Sequence, residues 1–315
     1  MTTLLVSQAN FTDHRTPEGH VERADRIRAV EEALARPRFD ALLRREAPMG
    51  DLMLAELVHE RAYLDILRQA RPAEGIGQID RNTYISSGSL GAVATSLGGA
   101  LAALDAVILG EADNAFCAIR PPGHHAERAA PGGFCLINTV AITAREAQRK
   151  YGAERIAIVD FDVHHGNGTQ DIFAADPDIL YISSHQMPLY PGTGKADERG
   201  VGNILNIPLP AQSDGALMRE AYSGLVFPAL HDFAPDIMLL SAGFDAHIRD
   251  GVAQLNWRSD DFGWLTGKLM DVAESRCGNR IVSLLEGGYD LKGLAGGVSH
   301  HVAMLMDGAI GRLDD

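Results

Sequence analysis

Short runs of aliphatic and β-branched residues alternate along this chain with longer segments in which apolar residues recur every three or four positions. The first pattern fits strands buried on both faces and the second fits amphipathic helices, so their alternation predicts a parallel sheet covered on both sides by helices. Strands are expected at residues 3–7, 115–119, 156–160, 179–183, 203–207, 237–241 and 281–285. Helices are expected at about 22–36, 61–70, 89–109, 140–151, 217–233, 260–274 and 294–306. No long Ser/Pro linker, repeat or low-complexity tract interrupts the alternation, so a single domain over residues 1–315 is expected.

Composition changes this picture little: of 315 residues 46% are hydrophobic and 22% charged, the balance of a soluble globular protein. Charge changes it more. A formal net charge of -14 disfavours binding to nucleic acid or anionic membrane through bulk attraction, and favours a cationic substrate. Cys117, Cys135 and Cys277 form no CxxC pair and are too few for a disulfide framework, so a reducing cytoplasm is the expected location. The opening MTTLLVSQANFTDH lacks the pattern of a secretory signal, and no run of apolar residues is long enough and uninterrupted enough to predict a membrane span.

In an open parallel sheet, ligands bind beyond the carboxyl ends of the strands. Four expected strand ends carry unusual groups. Arg120-Pro121-Pro122-Gly123-His124-His125 follows one, Asp160-Phe161-Asp162-Val163-His164-His165 a second, Ala242-Gly243-Phe244-Asp245-Ala246-His247 a third and Glu286-Gly287-Gly288-Tyr289 a fourth. Side chains two apart in extended chain point the same way, so Asp162 and His164 can face one point, with Asp245 the natural third ligand from another strand end. Three protein ligands leave a position open for water or a substrate carbonyl, as a hydrolytic metal requires. Alone, an Asp-x-His at a loop start reads as a hydrogen-bonded pair; the second His-His pair and the isolated Gly-Phe-Asp shift the reading to a metal. Two carboxylates and an imidazole also suit iron(II) or cobalt(II).

Together RPPGHHAE, GGFCLIN, IVDFDVHHGNGTQDIF, PGTG, SAGFDAH and EGGYD resemble the zinc-dependent histone deacetylase and acetylpolyamine amidohydrolase family, and most of all its class II branch. HVERADRI, at residues 20–27, resembles the family's N-terminal element and extends the likeness over nearly the whole chain. The resemblance implies an α/β fold of the arginase/deacetylase type, three layers with a mainly parallel eight-stranded sheet between helices. It implies a hydrolase of amide C–N bonds with zinc held by Asp162, His164 and Asp245. It makes His125 the general base and later acid, His124 an electrostatic partner paired with Asp160, and Tyr289 the donor to the developing oxyanion. Asn167 stands where many relatives have an aspartate beside the second histidine; a turn-forming Asn between two glycines explains the same letter.

The resemblance further places Gly133 and Phe134 in the wall of a narrow substrate slot, with the Gly133 carbonyl accepting from the substrate amide. Tyr190 falls near the opposite wall, where a phenylalanine is usual, and Asp80 at the rim as a grip on substrate backbone. Arg26 would line a cavity for departing acetate; a surface position on its helix explains the same arginine equally well. Structural potassium is implied at Ser183 and Ser184, with carbonyls of Asp160, Asp162 and His164. The expected substrate is an N-acyl-lysine in a protein or peptide, or a small acylated amine. An acetylpolyamine deacetylase is the alternative, but the acidic gatekeeper of such enzymes would fall at Val252, which cannot recruit a second ammonium. A two-manganese arginase-like hydrolase, drawn from Asp245-Ala246-His247, and a non-catalytic acyl-lysine binder are the remaining readings. His165 is expected to make a structural hydrogen bond, and His247 to point away from the metal. His300 and His301 are expected to pack or cap, His185 to lie beside the site, and His14, His20, His59 and His231 to join no constellation.

Overall fold

The computed structural model describes residues 1–308; the remaining residues of the domain expected over 1–315 lie outside the described residues. The strands are β1 (Thr3–Ser7), β2 (Leu43–Glu46), β3 (Ile76–Gln78), β4 (Tyr84–Ser86), β5 (Asn114–Ala118), β6 (Ile156–Asp160), β7 (Ile179–Gln186), β8 (Ile204–Leu209), β9 (Ile237–Ala242) and β10 (Ile281–Leu285). Eight of them form one sheet in the order β2-β1-β5-β10-β9-β6-β7-β8, with every neighbouring pair parallel, while β3 and β4 make a separate antiparallel hairpin. All seven expected sheet strands form. The eighth, β2, reads Leu-Arg-Arg-Glu and is largely exposed at the sheet edge, so it carries the charged signature of a protected edge rather than the apolar run of a central strand.

The helices are α1 (Asp25–Leu34), α2 (Arg61–Ala70), α3 (Ser89–Ile108), α4 (Thr139–Tyr151), α5 (Asn167–Phe173), α6 (Gly215–Ala221), α7 (Phe227–Phe233), α8 (Ser259–Cys277) and α9 (Leu291–Asp307). The single helix expected over 217–233 is instead α6 and α7 joined by a π-helical turn at Tyr222–Val226. Pro228 in the first turn of α7 has no N–H to continue an α-helical ladder, which accounts for a register change there. Along β6 the side chains alternate between two cores. Ile156 and Ile158 pack with residues of α3 and α4, and Ala157 and Val159 pack with residues of α1, α8 and α9. Helix α3 has the length and mean hydropathy, 1.6, of a membrane span, but 72% of that window is buried inside the protein, as expected of a core helix.

Register decides where the chemistry gathers. Asp160, the last residue of β6, pairs with Ser241 of β9 and Ser183 of β7, and Ala242 pairs with Leu285 of β10. The central strands therefore end level with one another, and the loops that leave them meet above the middle of the sheet.

Beneath that rim lies a buried ionic cluster. Glu22, Arg26 and Arg120 are each fully buried. Arg120 donates through Nε and Nη2 to the two Glu22 oxygens at 2.8 and 2.7 Å, and Arg26 Nη1 lies 3.3 Å from Glu22 Oε1. Burial alone would raise the Glu22 carboxyl, but the Arg120 charge and the bonds from His14 and Arg120 hold it well below the usual carboxylate range. Its ionised form thus stabilises the fold fully above an unfolded value of about 4.3, and that contribution is lost as pH falls toward the depressed folded value. Glu22→Gln, which strands two buried guanidinium charges, is expected to cost about 3–5 kcal/mol near neutral pH, read as a lower urea midpoint. The deficit should narrow at about pH 3.5; an equal deficit at both values would show that Glu22 charge is not what holds the cluster.

Candidate active site

Asp162 and His164 leave β6 on alternate positions, and Asp245 leaves β9, its sheet neighbour. One ligand atom from each of the three lies within 4.8 Å of the others, and all three side chains are nearly or fully enclosed. His164 Nδ1 faces Asp162 Oδ1 at 3.0 Å and Asp245 Oδ2 at 3.2 Å. Each carboxylate is held from behind by backbone N–H groups: Val163 donates to Asp245 Oδ1 at 2.9 Å, and Gly287 donates to Asp162 Oδ2 at 2.8 Å. Gly287 must be glycine for this approach, since a Cβ there would stand 2.2 Å from Asp245 Oδ2.

These residues fit a divalent cation. Asp245 Oδ2 is buried with no hydrogen-bond partner, a costly state for an ionised oxygen. A single proton on His164 Nδ1 cannot serve both carboxylates, whereas one cation at their common point serves all three donors. The electrostatics agree. Burial alone would lower His164, but Asp162 and Asp245 raise it to about 10, so the pocket favours positive charge where Nδ1 faces them. Burial and the Asp162 charge push Asp245 up. Among the described residues this is the one group of three metal-type ligands. His247, needed for a second metal, turns away: its Nε2 lies 3.3 Å from Ser259 Oγ and its ring stacks on Phe262.

The two histidines after β5 stand beside this group, their ring centroids 4.0 Å apart. His124 Nδ1 lies 3.0 Å from Asp160 Oδ2, which also accepts from the Tyr181 hydroxyl at 2.9 Å. His125 Nδ1 lies 2.8 Å from Asn167 Oδ1. The two rings are tuned apart. Burial would lower His124, yet Asp160 and Asp162 raise it to about 10, while burial and the neighbouring His124 and His164 push His125 well below its ordinary value. The loop carrying both is anchored by Glu286, whose Oε2 accepts from the N–H of Gly123 at 2.7 Å and of His124 at 3.2 Å.

The mouth is aromatic. Gly133 and Phe134 both have left-handed backbone, φ 51 and 71°, uncommon for a phenylalanine and a mark of imposed shape. A Cβ on Gly133 would stand 2.1 Å from His125 Cδ2, so the glycine lets this wall close on the imidazole. The Phe134 ring meets Tyr289 edge-on at 5.8 Å, and the Tyr190 ring meets His125 edge-on at 5.0 Å. Tyr190 also meets His164 edge-on at 6.2 Å, which sets its ring beside the two histidines. Asp80 spends Oδ1 on the N–H groups of Asn82 and Thr83 in the β3–β4 turn, and its Oδ2 lies on the Gly132 and Tyr190 side of the mouth. His20, for which no constellation was expected, packs edge-on against Phe134 at 4.8 Å and Tyr84 at 5.3 Å, a long-range meeting that local sequence does not signal.

Tyr289 is half-buried, its N–H bonded to Asp250 Oδ2 at 2.6 Å and its ring under the Arg26 guanidinium at 4.9 Å. Arg26 is no surface residue: it donates to the carbonyls of Gly288 and Glu286 and so props the loop that carries Tyr289. His165 makes the structural bonds expected of it, to Thr193 Oγ1 at 2.8 Å and Gln170 Oε1 at 2.9 Å. His301 is bonded on both nitrogens, to Thr266 and Ser283, within the core. Ser183 Oγ lies 2.9 Å from His185 Nδ1, and Ser184 Oγ lies 2.7 Å from the Tyr222 hydroxyl. Sequence reasoning missed Glu286, Asp250, Tyr181 and Glu127 as supports; Glu286 and Glu127 stand inside the EGGYD and RPPGHHAE motifs, Asp250 follows SAGFDAH in the same loop, and Tyr181 is revealed only by folding.

The model of the histone deacetylase domain matches residues 20–305. The chain is 38% identical over 306 residues to "Histone deacetylase 10, chloroplastic" of Oryza sativa subsp. japonica, an alignment covering 90% of this chain and 68% of that protein. It is 34% identical over 330 residues to "Polyamine deacetylase HDAC10" of Homo sapiens, covering 97% of this chain and 48% of that one. The solved "HDA15 HD domain" superposes with a TM-score of 0.90 at 30% identity, over 97% of this chain and 89% of the other.

Proposed function

The chain belongs to the histone deacetylase family and is a hydrolase of the deacetylase kind, and we propose that it removes an acetyl or other short acyl group from N-acyl-lysine in proteins or peptides, with zinc as its metal. The observation that carries this reading is the triangle of Asp162, His164 and Asp245 facing His125 and Tyr289 at the foot of an aromatic slot. The family is zinc-dependent, and zinc, which those three side chains would hold, would supply Lewis-acid polarisation of the acyl carbonyl and would lower the pKa of a water it binds.

The protein's own groups do the rest. His125, with Nδ1 turned to Asn167, presents Nε2 to take a proton from the attacking water and to return one to the leaving amine. His124, paired with Asp160, holds positive charge beside the reaction centre. The Tyr289 hydroxyl donates to the oxygen on which negative charge develops. Phe134 and Tyr190 line the slot around the methylene stem, a surface that also tolerates a nearby ammonium. The Gly133 carbonyl receives the substrate N–H, and Asp80 Oδ2 grips substrate backbone at the rim. Potassium is assigned to the turn after β6 with Ser183 and Ser184. The three buried, unpaired cysteines support a reducing compartment such as the cytoplasm.

The second reading, an acetylpolyamine substrate, draws on the name of the human relative. Against it, the acid nearest Val252 is Asp250, whose Oδ2 is committed to the N–H groups of Tyr289 and Asp290 at 2.6 and 3.0 Å and whose Oδ1 takes the Val252 N–H. No free carboxylate in that loop is left to meet a second ammonium. Side-by-side turnover by zinc-loaded protein is expected to give an acetyl-lysine peptide a kcat/KM at least about tenfold above that of acetylspermidine or acetylputrescine, a difference of about 1.4 kcal/mol. Faster polyamine turnover would overturn the lysine assignment. Tight binding of acyl-lysine peptides without hydrolysis would replace the enzyme by a binding protein.

A further inference from the structure

The amide of Asn167 is nearly symmetric in shape, so what it presents to His125 depends on what fixes its orientation. Its Nδ2 donates to Glu127 Oε1 at 2.6 Å, while its Oδ1 faces His125 Nδ1 at 2.8 Å. Glu127 is half-buried in the turn just after the two histidines. Its backbone is fixed independently of its side chain: its N–H is bonded to the Ala130 carbonyl, and its carbonyl accepts from His59. Its carboxylate forms no ion pair among the described residues, and its one side-chain hydrogen bond there is the bond to Asn167.

We infer that Glu127 is a positioning residue that sets the tautomer of His125 through Asn167. This rests on the deacetylase reading of the site. An ionised carboxylate only accepts hydrogen bonds, so it selects the Asn167 orientation that points N–H groups at Glu127 and the oxygen at His125. That oxygen in turn only accepts, so the His125 proton sits on Nδ1 and the Nε2 lone pair faces the slot, the tautomer a base requires. The opposite Asn167 orientation would set oxygen against carboxylate and give His125 the wrong tautomer. The negative charge that many relatives place directly on the histidine is thus present in this chain one hydrogen bond further out. The neutral amide between them carries its influence without burying a second anion beside Asp160.

The consequence is a coupling between two residues that do not both touch the imidazole. In zinc-loaded protein, Glu127→Gln is expected to lower kcat on acetyl-lysine peptide by about tenfold with KM within about twofold, a small part of what a general base supplies. Asn167→Asp alone sets two carboxylates against each other and is also expected to lose activity. In that background Glu127→Gln can donate to the introduced carboxylate, and is expected to raise kcat rather than lower it. A second readout needs no turnover: long-range proton–nitrogen NMR of the histidine rings, with His125 assigned by comparison with His125→Gln. Wild type should show the Nδ1–H form at His125, and Glu127→Ala a mixture with the Nε2–H form. The inference is overturned if wild-type His125 carries its proton on Nε2, if Glu127→Ala leaves the tautomer unchanged, or if Glu127→Gln costs the same factor in both backgrounds. Wild-type protein that hydrolyses no acylated amine, yet shows the expected tautomer shift, would overturn the proposed function and leave this assignment standing.

Discussion

Asp245→Asn is expected to abolish metal binding and turnover together while leaving the fold intact. The substitution keeps the volume of the side chain and keeps an oxygen to accept the Val163 N–H, now 2.9 Å from Oδ1. It replaces the unpartnered Oδ2 with an NH2 group, which has no lone pair for a cation and which can donate to the neighbouring Asp162 or His164. Zinc per chain should fall from near one to below about 0.1 after dialysis against trace metal, and kcat/KM by more than about a thousandfold. The stability readout has the opposite sign from a damaging core substitution. Metal-free wild type buries two carboxylates around one imidazole nitrogen, and the mutation removes one of those charges, so metal-free Asp245→Asn should melt no lower than metal-free wild type. Added zinc should raise the melting temperature of wild type and leave the variant unmoved, because only a folded state that binds is stabilised by ligand. A variant that retains stoichiometric zinc would remove Asp245 from the ligand set.

The meeting of Asp162 and His164 was legible because it is local: two positions of extended chain set them side by side. Asp245 was legible for a different reason, since a lone acid after a buried apolar run has to emerge at the same rim wherever parallel strands end level. What stayed hidden depends on direction rather than position. Nothing local says that His247 stacks on Phe262, that Asp250 turns back to the Tyr289 N–H, or that His20 crosses to the mouth. The missed strand β2 fails the apolar criterion because its place at the edge frees it from burial, and the helix expected over 217–233 runs its full length but takes a π-helical turn at Tyr222–Val226, just before Pro228, which has no N–H for the α-helical ladder. Arg26 looked equally suited to a surface helix and a cavity; only its bonds to Gly288 and Glu286 separate the two.

Tyr289→Phe is expected to keep the metal, keep the fold and lose about a hundredfold to a thousandfold in kcat, with KM little changed. The position of this residue is set by contacts that the substitution does not touch: its N–H on Asp250, the Arg26 guanidinium over its ring, and the Phe134 edge. Its hydroxyl forms no hydrogen bond with any described residue, so removing it leaves no partner unsatisfied and should cost little stability. Burial pushes the phenol well above its ordinary value, so the group is a donor rather than an anion at neutral pH. A donor idle in the ground state and engaged only as charge grows on the substrate oxygen affects kcat and spares KM. Asp250→Ala supplies the contrast: it frees the N–H groups of Tyr289 and Asp290 and should lower the melting temperature and kcat together, since the loop itself loses its anchor. Loss of zinc or of thermal stability in Tyr289→Phe would make the hydroxyl a structural group and leave the oxyanion without its protein donor.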